Sequence, residues 1–212
     1  EQCLLEKYID FKNQIDIERL EIIASTIKEG GIIVFPTETV YAIGTNGMDE
    51  NAIKKLYNIK QRPLDKPISL LVSDFDMIKN ITKDITNIEM KIMNTFFPGP
   101  LTIILKKRNN IPDILSGNSE TIGIRMPDNE IAKKIIEYSG VPIAAPSANI
   151  SGKPSGIEMN TIINDLKNKV DYYIDGGKCK IGQASTIVKV VDDVPIILRE
   201  GSISKKQILD II

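Results

Sequence analysis

The sequence predicts an α/β protein with a single open, twisted, mixed sheet and helices packed on it. Short apolar runs rich in β-branched residues alternate with segments whose apolar residues recur at helical spacing. Near the C-terminal end several apolar runs follow one another without helices between them, which favours a mixed rather than a purely parallel sheet. With 42% apolar residues among 212, the chain can bury a sizeable core.

The elements can be assigned in order from periodicity and end signals. The first predicted helix contains Ile17 to Ile27 at helical spacing and ends at Gly30 and Gly31, and residues 32–35 form a buried strand that stops at Pro36. Further helices are predicted at 49–60, 74–81, 88–96 and 128–140, with Asp128 as an N-cap, and further strands at 68–72, 101–105, 121–125, 141–145, 172–174, 185–191 and 196–198. Ser204 and Gln207 have the spacing of a capping box for a last helix.

One composition shift marks the N-terminus. Residues 1–14 are charged and weakly periodic, so we expect an N-terminal arm followed by a single domain over residues 15–212.

Overall composition excludes several classes of function. The net charge of -1 gives no reason to expect sequence-independent binding to nucleic acid. Histidine is absent, which removes Ser-His-Asp, Cys-His and His-metal chemistry. Cys3 and Cys179 stand far apart, so neither a disulfide framework nor a zinc site is expected, and a reducing, cytoplasmic setting fits. No apolar run approaches the roughly 20 residues that span a bilayer.

A basic cluster follows the second predicted helix. Lys60, Arg62 and Lys66 lie in a connection restrained by Pro63 and Pro67. Cations on a restrained backbone suit a phosphate chain or a carboxylate. The alternative is a solvated helix end whose cations satisfy the last carbonyls.

A second polar segment follows the predicted strand at 141–145. Ser147 and Asn149, with Ser155 behind them on a glycine-containing loop, could cradle an anion with hydroxyl and backbone N–H donors. Such residues also make ordinary turns, and that reading stays open.

Two arginines end apolar strands. Arg125 closes the strand at 121–125, and Arg199 follows the strand at 196–198. Each needs an anion, which could be a ligand or one of the 28 carboxylates of the chain. Hydroxyls also follow the first strand, around Thr39, and precede another, at Ser185.

Together these segments resemble the YrdC/Sua5 family of threonylcarbamoyl-adenylate synthases, in its short, single-domain form. The resemblance runs from about residue 17 to residue 204, and six segments in register carry it: 35–41, 60–67, 98–102, 121–127, 142–154 and 185–188. It implies a YrdC-like catalytic domain over residues 15–212. It also implies a nucleotidyltransferase that converts L-threonine, bicarbonate or CO2, and ATP into threonylcarbamoyl-AMP and pyrophosphate, for the t6A modification of tRNA.

The resemblance also implies roles for individual residues. A catalytic tetrad would consist of Lys60, Arg62, Ser147 and Asn149. ATP contacts would come from Arg62, Lys66, Thr121, Ser147, Ser155 and Arg199, and L-threonine contacts from Thr39, Arg125, Ala145 and Ser185. Arg125 would take the threonine carboxylate and Ala145 would leave room for the substrate. Mg²⁺ would accompany ATP, with no dedicated protein metal site.

Further partners follow from the same resemblance. They are the downstream tRNA-threonylcarbamoyl transferase machinery and RNA, which would be bound weakly. No association with a membrane is expected. The chain departs from many family members at Ala42, where they have glycine, and at residues 69–72, where they have a histidine.

Two other functions remain open at this stage. One is the related carbamoyl-transfer module of hydrogenase maturation proteins, which sits in a much longer chain. The other is an RNA-binding module without catalysis, whose basic face would use Lys54, Lys55, Lys60, Arg62 and residues 106–108. Aromatic residues make up only 5% of the chain, which disfavours base stacking.

Overall fold

The computed structural model describes residues 2–212, with side chains from Leu4 onward. The helices are α1 (Gln2–Lys7), α2 (Ile17–Lys28), α3 (Glu50–Lys60), α4 (Phe75–Ile81), α5 (Asn87–Phe96), α6 (Glu130–Ser139), α7 (Met159–Leu166) and α8 (Lys205–Leu209). The strands are β1 (Tyr8–Asp10), β2 (Ile33–Phe35), β3 (Ala42–Asn46), β4 (Leu70–Leu71), β5 (Leu101–Lys106), β6 (Thr121–Arg125), β7 (Ile143–Ala144), β8 (Tyr172–Asp175), β9 (Thr186–Val191) and β10 (Val194–Arg199). Short 3-10 helices lie at Asp113–Ser116 and Lys167–Lys169.

All the described strands belong to one ten-stranded sheet, in the order β1-β8-β2-β3-β7-β4-β6-β5-β9-β10. The pairs β1–β8, β2–β8, β4–β6 and β5–β9 are parallel. The hairpin pairs β2–β3 and β9–β10, and the pairs β3–β7, β4–β7 and β5–β6, are antiparallel. The predicted open mixed sheet is therefore confirmed.

Helices cover the sheet in two groups. One apolar cluster joins α2 to α6 through residues such as Leu20, Ile27 and Ile135, which are fully buried. A larger cluster contains residues of α3, α4, α5, α7 and α8, among them Ile53 and Ile92. Because both layers are apolar, the central strands are covered on both sides, as their unbroken apolar runs predicted.

Helix ends follow the predicted capping rules with one correction. The capping box of Ser204 and Gln207 forms at α8 as predicted. The N-cap of α6 is Asn129, whose side chain accepts from Ala132 N at 3.0 Å, so the assignment of Asp128 was wrong. Asp128 is held differently, because its backbone N–H donates to the carboxylate of Glu38 at 2.6 Å.

Three elements were not predicted as they occur. Within the expected arm, residues 8–10 form β1 at the edge of the sheet, while residue 1 lies outside the described part. The division at residue 15 stays a prediction. Strand β3 and helix α7 were not predicted, because their hydrophobic periodicity is weak. The apolar pattern of β3 is interrupted by Gly44. A Cβ at this position would lie 2.7 Å from Ile143 Cγ2, so the packing leaves no room for an apolar side chain there.

Candidate active site

A cavity of about 210 Å³ lies on one face of the sheet. Ala42, Leu71, Arg125, Thr102 and Ile187 supply its floor from β3, β4, β6, β5 and β9. The strand ends alone do not form the site, because side chains from adjacent strands of one sheet face also line it.

Eight of the predicted site residues line this cavity: Thr39, Arg62, Arg125, Ala145, Ser147, Ser155, Ser185 and Arg199. The fold thus brings together segments that are far apart in sequence. Lys60 and Asn149 lie behind the lining, and Lys66 and Thr121 lie outside it. None of these placements assigns a role, so the predicted roles stay predictions.

Lys60 is a fully buried cation at the C-terminus of α3, with a relative exposure of 1%. Its Nζ donates to Ser147 O at 2.5 Å, to Asn149 O at 2.7 Å and to Asn149 Oδ1 at 3.1 Å. The hydroxyl of Ser147 also donates to Asn149 Oδ1 at 2.6 Å. An ammonium group has three N–H donors, and three oxygen atoms of this loop accept hydrogen bonds from it. Lys60 therefore ties the end of α3 to the loop at 147–149.

Burial also changes the chemistry of this lysine. Desolvation, and secondly the charge of Arg62, lower the pKa of Lys60 to about 7. An ammonium in a buried position loses hydration that its hydrogen bonds replace only in part. The protonation of Lys60 is therefore sensitive to conditions near neutral pH.

Arg62 stabilises the loop that follows α3. The chain turns at Gln61, whose φ of 52° ends the helix in the left-handed conformation. Arg62 then donates from Nε to Lys66 O at 3.2 Å and from Nη2 to Pro67 O at 2.7 Å. Its guanidinium is half-buried and lines the cavity, whereas the side chain of Lys66 is exposed.

Arg125 is a buried guanidinium with a buried counter-ion. Its Nη2 donates to the carboxylate of Glu38, and the two side chains are 9% and 6% exposed. Desolvation lowers the pKa of Arg125, while the Glu38 carboxylate opposes that shift. Nε of Arg125 is buried and has no hydrogen-bond partner among the side chains and backbone of residues 4–212. The sequence did not identify Glu38 as this partner, although the segment at 35–41 was noted.

Hydroxyl groups surround the same part of the cavity. Thr39 shares a 2.9 Å hydrogen bond with Thr37, and both are buried. Ser185 shares a 2.8 Å hydrogen bond with Thr102, and Arg199 donates from Nη2 to Ser185 Oγ at 3.2 Å. Thr102 was missed because a single threonine in an apolar strand is indistinguishable from an ordinary strand residue, and Thr37 because nothing in the segment 35–41 distinguishes it from Thr39.

Tyr41 connects the cavity wall to the loop after β8. Its hydroxyl donates to Gly177 O at 2.7 Å, lies 3.2 Å from Asp175 Oδ1 and accepts from Gly176 N at 3.1 Å. Burial raises the pKa of Tyr41, so this hydroxyl stays protonated and keeps donating. Tyr8 of β1 donates to the other oxygen of Asp175 at 2.5 Å.

Thr121 stands on the same sheet face as Arg125, at the opposite end of β6. They are four positions apart along the strand, a separation of roughly 13 Å at the usual rise. Gly123 lies between them, and a Cβ there would lie 2.4 Å from Ser69 Oγ. The absence of a side chain at Gly123 therefore leaves room for the side chain of Ser69, which precedes β4 and lines the cavity.

Among the described side chains, residues 4–212, no group of three or more Asp, Glu or Cys is arranged to hold a metal ion. In the same part of the chain, every helix is too short or too polar to cross a membrane.

The cations of the alternative RNA-binding face are largely engaged within the protein. Lys54 pairs with Glu50 at 2.8 Å, and Lys107 pairs with Asp113 at 2.5 Å. Lys60 is buried. These contacts give no support to a continuous basic face built on these residues.

Comparison with known proteins identifies the family. A family model described as "Telomere recombination", which covers the Sua5, YciO and YrdC proteins, matches residues 25–201. The chain belongs to the Sua5/YciO/YrdC family. The predicted family resemblance is thereby confirmed.

Two relatives and one solved structure show high similarity to this chain. It is 39% identical over 204 residues to a Pyrococcus abyssi protein named threonylcarbamoyl-AMP synthase, covering 96% of this chain and 60% of the relative. A Methanocaldococcus jannaschii relative, whose name gives the same activity provisionally, is 45% identical over 184 residues, covering 87% of this chain and 86% of the relative. The crystal structure of P. abyssi Sua5 complexed with L-threonine matches 97% of this chain and 60% of that one, with a TM-score of 0.94 and 39% identity.

The lengths of these relatives differ. This Sua5/YciO/YrdC chain spans 60% of the length of the P. abyssi relative and 86% of the M. jannaschii relative. The chain is thus similar to one segment of the longer protein and to most of the shorter one.

Proposed function

We propose that this chain is an L-threonylcarbamoyladenylate synthase that makes threonylcarbamoyl-AMP and pyrophosphate from L-threonine, bicarbonate or CO2, and ATP. One observation carries the proposal: a buried guanidinium suited to a carboxylate, Arg125, lines the same cavity as Arg62 and Ser147, which suit phosphates. The names of relatives support it, as does the complex of P. abyssi Sua5 with L-threonine.

The proposed reaction needs two substrates held together rather than a protein nucleophile. The threonine amine adds to CO2 and loses a proton, giving a carbamate; from bicarbonate, one water is released. A carbamate oxygen then bonds to the α-phosphorus of ATP, the bond to the β-phosphate oxygen breaks, and pyrophosphate leaves with the electron pair. Positioning and charge stabilisation supply most of the catalysis of such a step. A chain without histidine is compatible with this chemistry.

The threonine would bind at the Arg125 end of the cavity. Arg125 would hold its carboxylate, and Ala145, one of the smaller lining residues, would leave space for the side chain. Thr39 and Ser185 present hydroxyl groups there. Hydroxyls that can both donate and accept suit an amino acid with a hydroxyl of its own.

The nucleotide would bind from Arg62 along the same sheet face. Arg62, Ser147, Ser155 and Arg199 line the cavity and would contact its phosphates. Thr121 would contact a more distant part of the nucleotide, since it shares the sheet face of Arg125. Lys66 remains a proposed nucleotide contact from the family resemblance alone.

Lys60 and Asn149 do not line the cavity as described and would act on the site through the residues that do. The three hydrogen bonds of the Lys60 ammonium hold the loop at 147–149 in place. We therefore propose that within the tetrad Lys60 and Asn149 fix the Ser147 hydroxyl and its loop, while Arg62 and Ser147 contact the substrate. Fixed donors aimed at developing charge stabilise a transition state without reorganisation.

Magnesium fits this site as a companion of ATP. Within the described residues that line the cavity, no carboxylate occurs. The ion would therefore be held by phosphate oxygens and water, as Mg²⁺ often is. The tRNA-threonylcarbamoyl transferase machinery, weak RNA contact and a cytoplasmic location are part of the same proposal.

Pyrophosphate release tests the proposed function. Purified protein is incubated with ATP, Mg²⁺, bicarbonate and L-threonine, and each component is omitted in turn. Release that requires both threonine and bicarbonate is expected. Release from ATP alone, or equal release when threonine is omitted, would overturn the proposal.

A further inference from the structure

Glu38 is a buried carboxylate that the proposed chemistry does not yet use. It lies in the connection between β2 and β3 and is 5% exposed. One oxygen accepts from Arg125 Nη2, and the other accepts from Asp128 N at 2.6 Å. Its backbone oxygen also accepts from Ile181 N at 2.9 Å. The segment at 125–128 therefore fixes both oxygens of the carboxylate, and Ile181 fixes the backbone of Glu38.

The carboxylate reaches Arg125 from outside the proposed substrate cavity. Arg125 lines the cavity of about 210 Å³, and Glu38 is absent from that lining as described. Glu38 instead lines a neighbouring cavity of about 830 Å³, together with Asp128 and Glu130. Arg125 thus lines the smaller cavity and Glu38 the larger one, and the Glu38 carboxylate is not part of the described lining of the proposed substrate cavity.

Glu38 also supplies the negative charge that the buried guanidinium of Arg125 requires. A buried guanidinium without a counter-ion is unfavourable by several kcal/mol, so Arg125 needs an anion even when substrate is absent. The guanidinium of Arg199 lies close enough to lower the pKa of Arg125. Glu38 therefore balances the charge of Arg125 while no substrate carboxylate is bound.

We propose that Glu38 is a positioning residue that holds the Arg125 guanidinium for the carboxylate of an amino-acid substrate. This inference rests on the proposed function for the identity of that substrate. Because Glu38 engages Nη2, it leaves the other donors of the guanidinium uncontacted. Nε is buried and has no hydrogen-bond partner among the side chains and backbone of residues 4–212, so the hydrogen-bonding capacity of this guanidinium is not exhausted within the described protein.

A competing role for Glu38 predicts the opposite result. If its carboxylate imitated the substrate and blocked Arg125, removing its charge would strengthen the binding of threonine. Its place outside the substrate cavity argues for support instead, and support predicts weaker binding.

The test compares Glu38→Gln with Glu130→Gln by calorimetric titration of L-threonine and, separately, of ATP. Glu130 is a matched control, because it is exposed and lines the same larger cavity. We expect Glu38→Gln to weaken threonine binding about tenfold, since a hydrogen bond between two charged groups becomes one to a neutral amide. ATP binding should stay within about twofold, and Glu130→Gln should match the wild type in both titrations.

Several outcomes separate this inference from the proposed function. Unchanged or tighter threonine binding by Glu38→Gln, or an equal loss for threonine and ATP, would overturn the inference, and so would a wild-type protein that binds no threonine. Wild-type protein that binds threonine but releases no pyrophosphate would overturn the proposed function alone. If the melting temperature shows that Glu38→Gln does not fold, Glu38→Asp, which keeps the charge but shortens the side chain, is expected to give the same separation between the two ligands.

Discussion

The ammonium of Lys60 donates to both oxygens of Asn149, at 2.7 Å to the backbone and at 3.1 Å to the side chain. These residues lie 89 positions apart in the sequence. Because Lys60 is 1% exposed, its charge is balanced by protein dipoles rather than by water. Lys60 therefore supports the loop that carries Ser147 and does not itself line the cavity.

Replacing Lys60 by methionine should damage both stability and activity. Lys60→Met leaves buried oxygens of Ser147 and Asn149 without their donor, so we expect a loss of about 2 to 3 kcal/mol in the free energy of unfolding. Pyrophosphate release should fall more than about tenfold, because the loop is no longer fixed. Urea unfolding and the release assay measure the two effects.

Lys54→Met is the matched control on the same helix. Lys54 is 57% exposed and pairs with Glu50 one turn away. Its substitution should change stability by less than about 0.5 kcal/mol. Equal effects of the two substitutions would contradict the supporting role of Lys60.

The low pKa of Lys60 predicts a pH dependence of stability. The folded protein releases this proton near pH 7, whereas an unfolded lysine keeps it to about pH 10. Between these values the unfolded state binds more protons, so the Lys60 contribution to the free energy of unfolding rises with pH, by at most about 1.4 kcal/mol per pH unit. Urea unfolding at pH 7 and pH 9 should show a larger rise for wild type than for Lys60→Met. Parallel changes in the two proteins would refute this assignment.

Removing the Arg125 guanidinium should affect one substrate selectively. In Arg125→Ala we expect the KM for threonine to rise by at least about tenfold, because a charge-assisted contact with the carboxylate is lost. The KM for ATP should change far less. Steady-state pyrophosphate release measures both constants, and equal changes would count against Arg125 as the carboxylate partner.

This experiment needs a fold control, because Arg125→Ala leaves Glu38 buried without its partner. Such an uncompensated charge costs about 3 to 5 kcal/mol of stability. Arg108→Ala removes a guanidinium outside the cavity and should leave both KM values unchanged. A melting curve for each variant identifies any effect that reflects unfolding alone.

The Tyr41 hydroxyl should contribute measurably to stability. Tyr41→Phe removes the donor to Gly177 O and the acceptor of Gly176 N, for a loss of about 1 to 3 kcal/mol. Tyr138→Phe is the control, because Tyr138 is 36% exposed, and should change stability by less than about 0.5 kcal/mol. Thermal unfolding of both variants measures the two effects, and similar shifts in melting temperature would contradict a structural role for the Tyr41 hydroxyl.

Local patterns in the sequence were sufficient for most of the fold. The apolar run that forms β2 and the helical spacing of α2 depend on neighbouring residues only, as does the capping box of Ser204 and Gln207. Such signals can be read directly because hydrophobic periodicity and cap chemistry act over a few residues. The strand β1 was missed because three residues carry too little periodicity, and its pairing with β8 is set by distant contacts.

Sequence patterns alone were sufficient to predict most of the helices and strands and the chemical types of most site residues. The tertiary structure alone decided that Lys60 is internal, that Arg125 pairs with Glu38 among 28 carboxylates, and that the site lies on a sheet face. The physical reason is that burial and charge pairing depend on which segments meet in space. No local pattern encodes a contact between residues 87 positions apart.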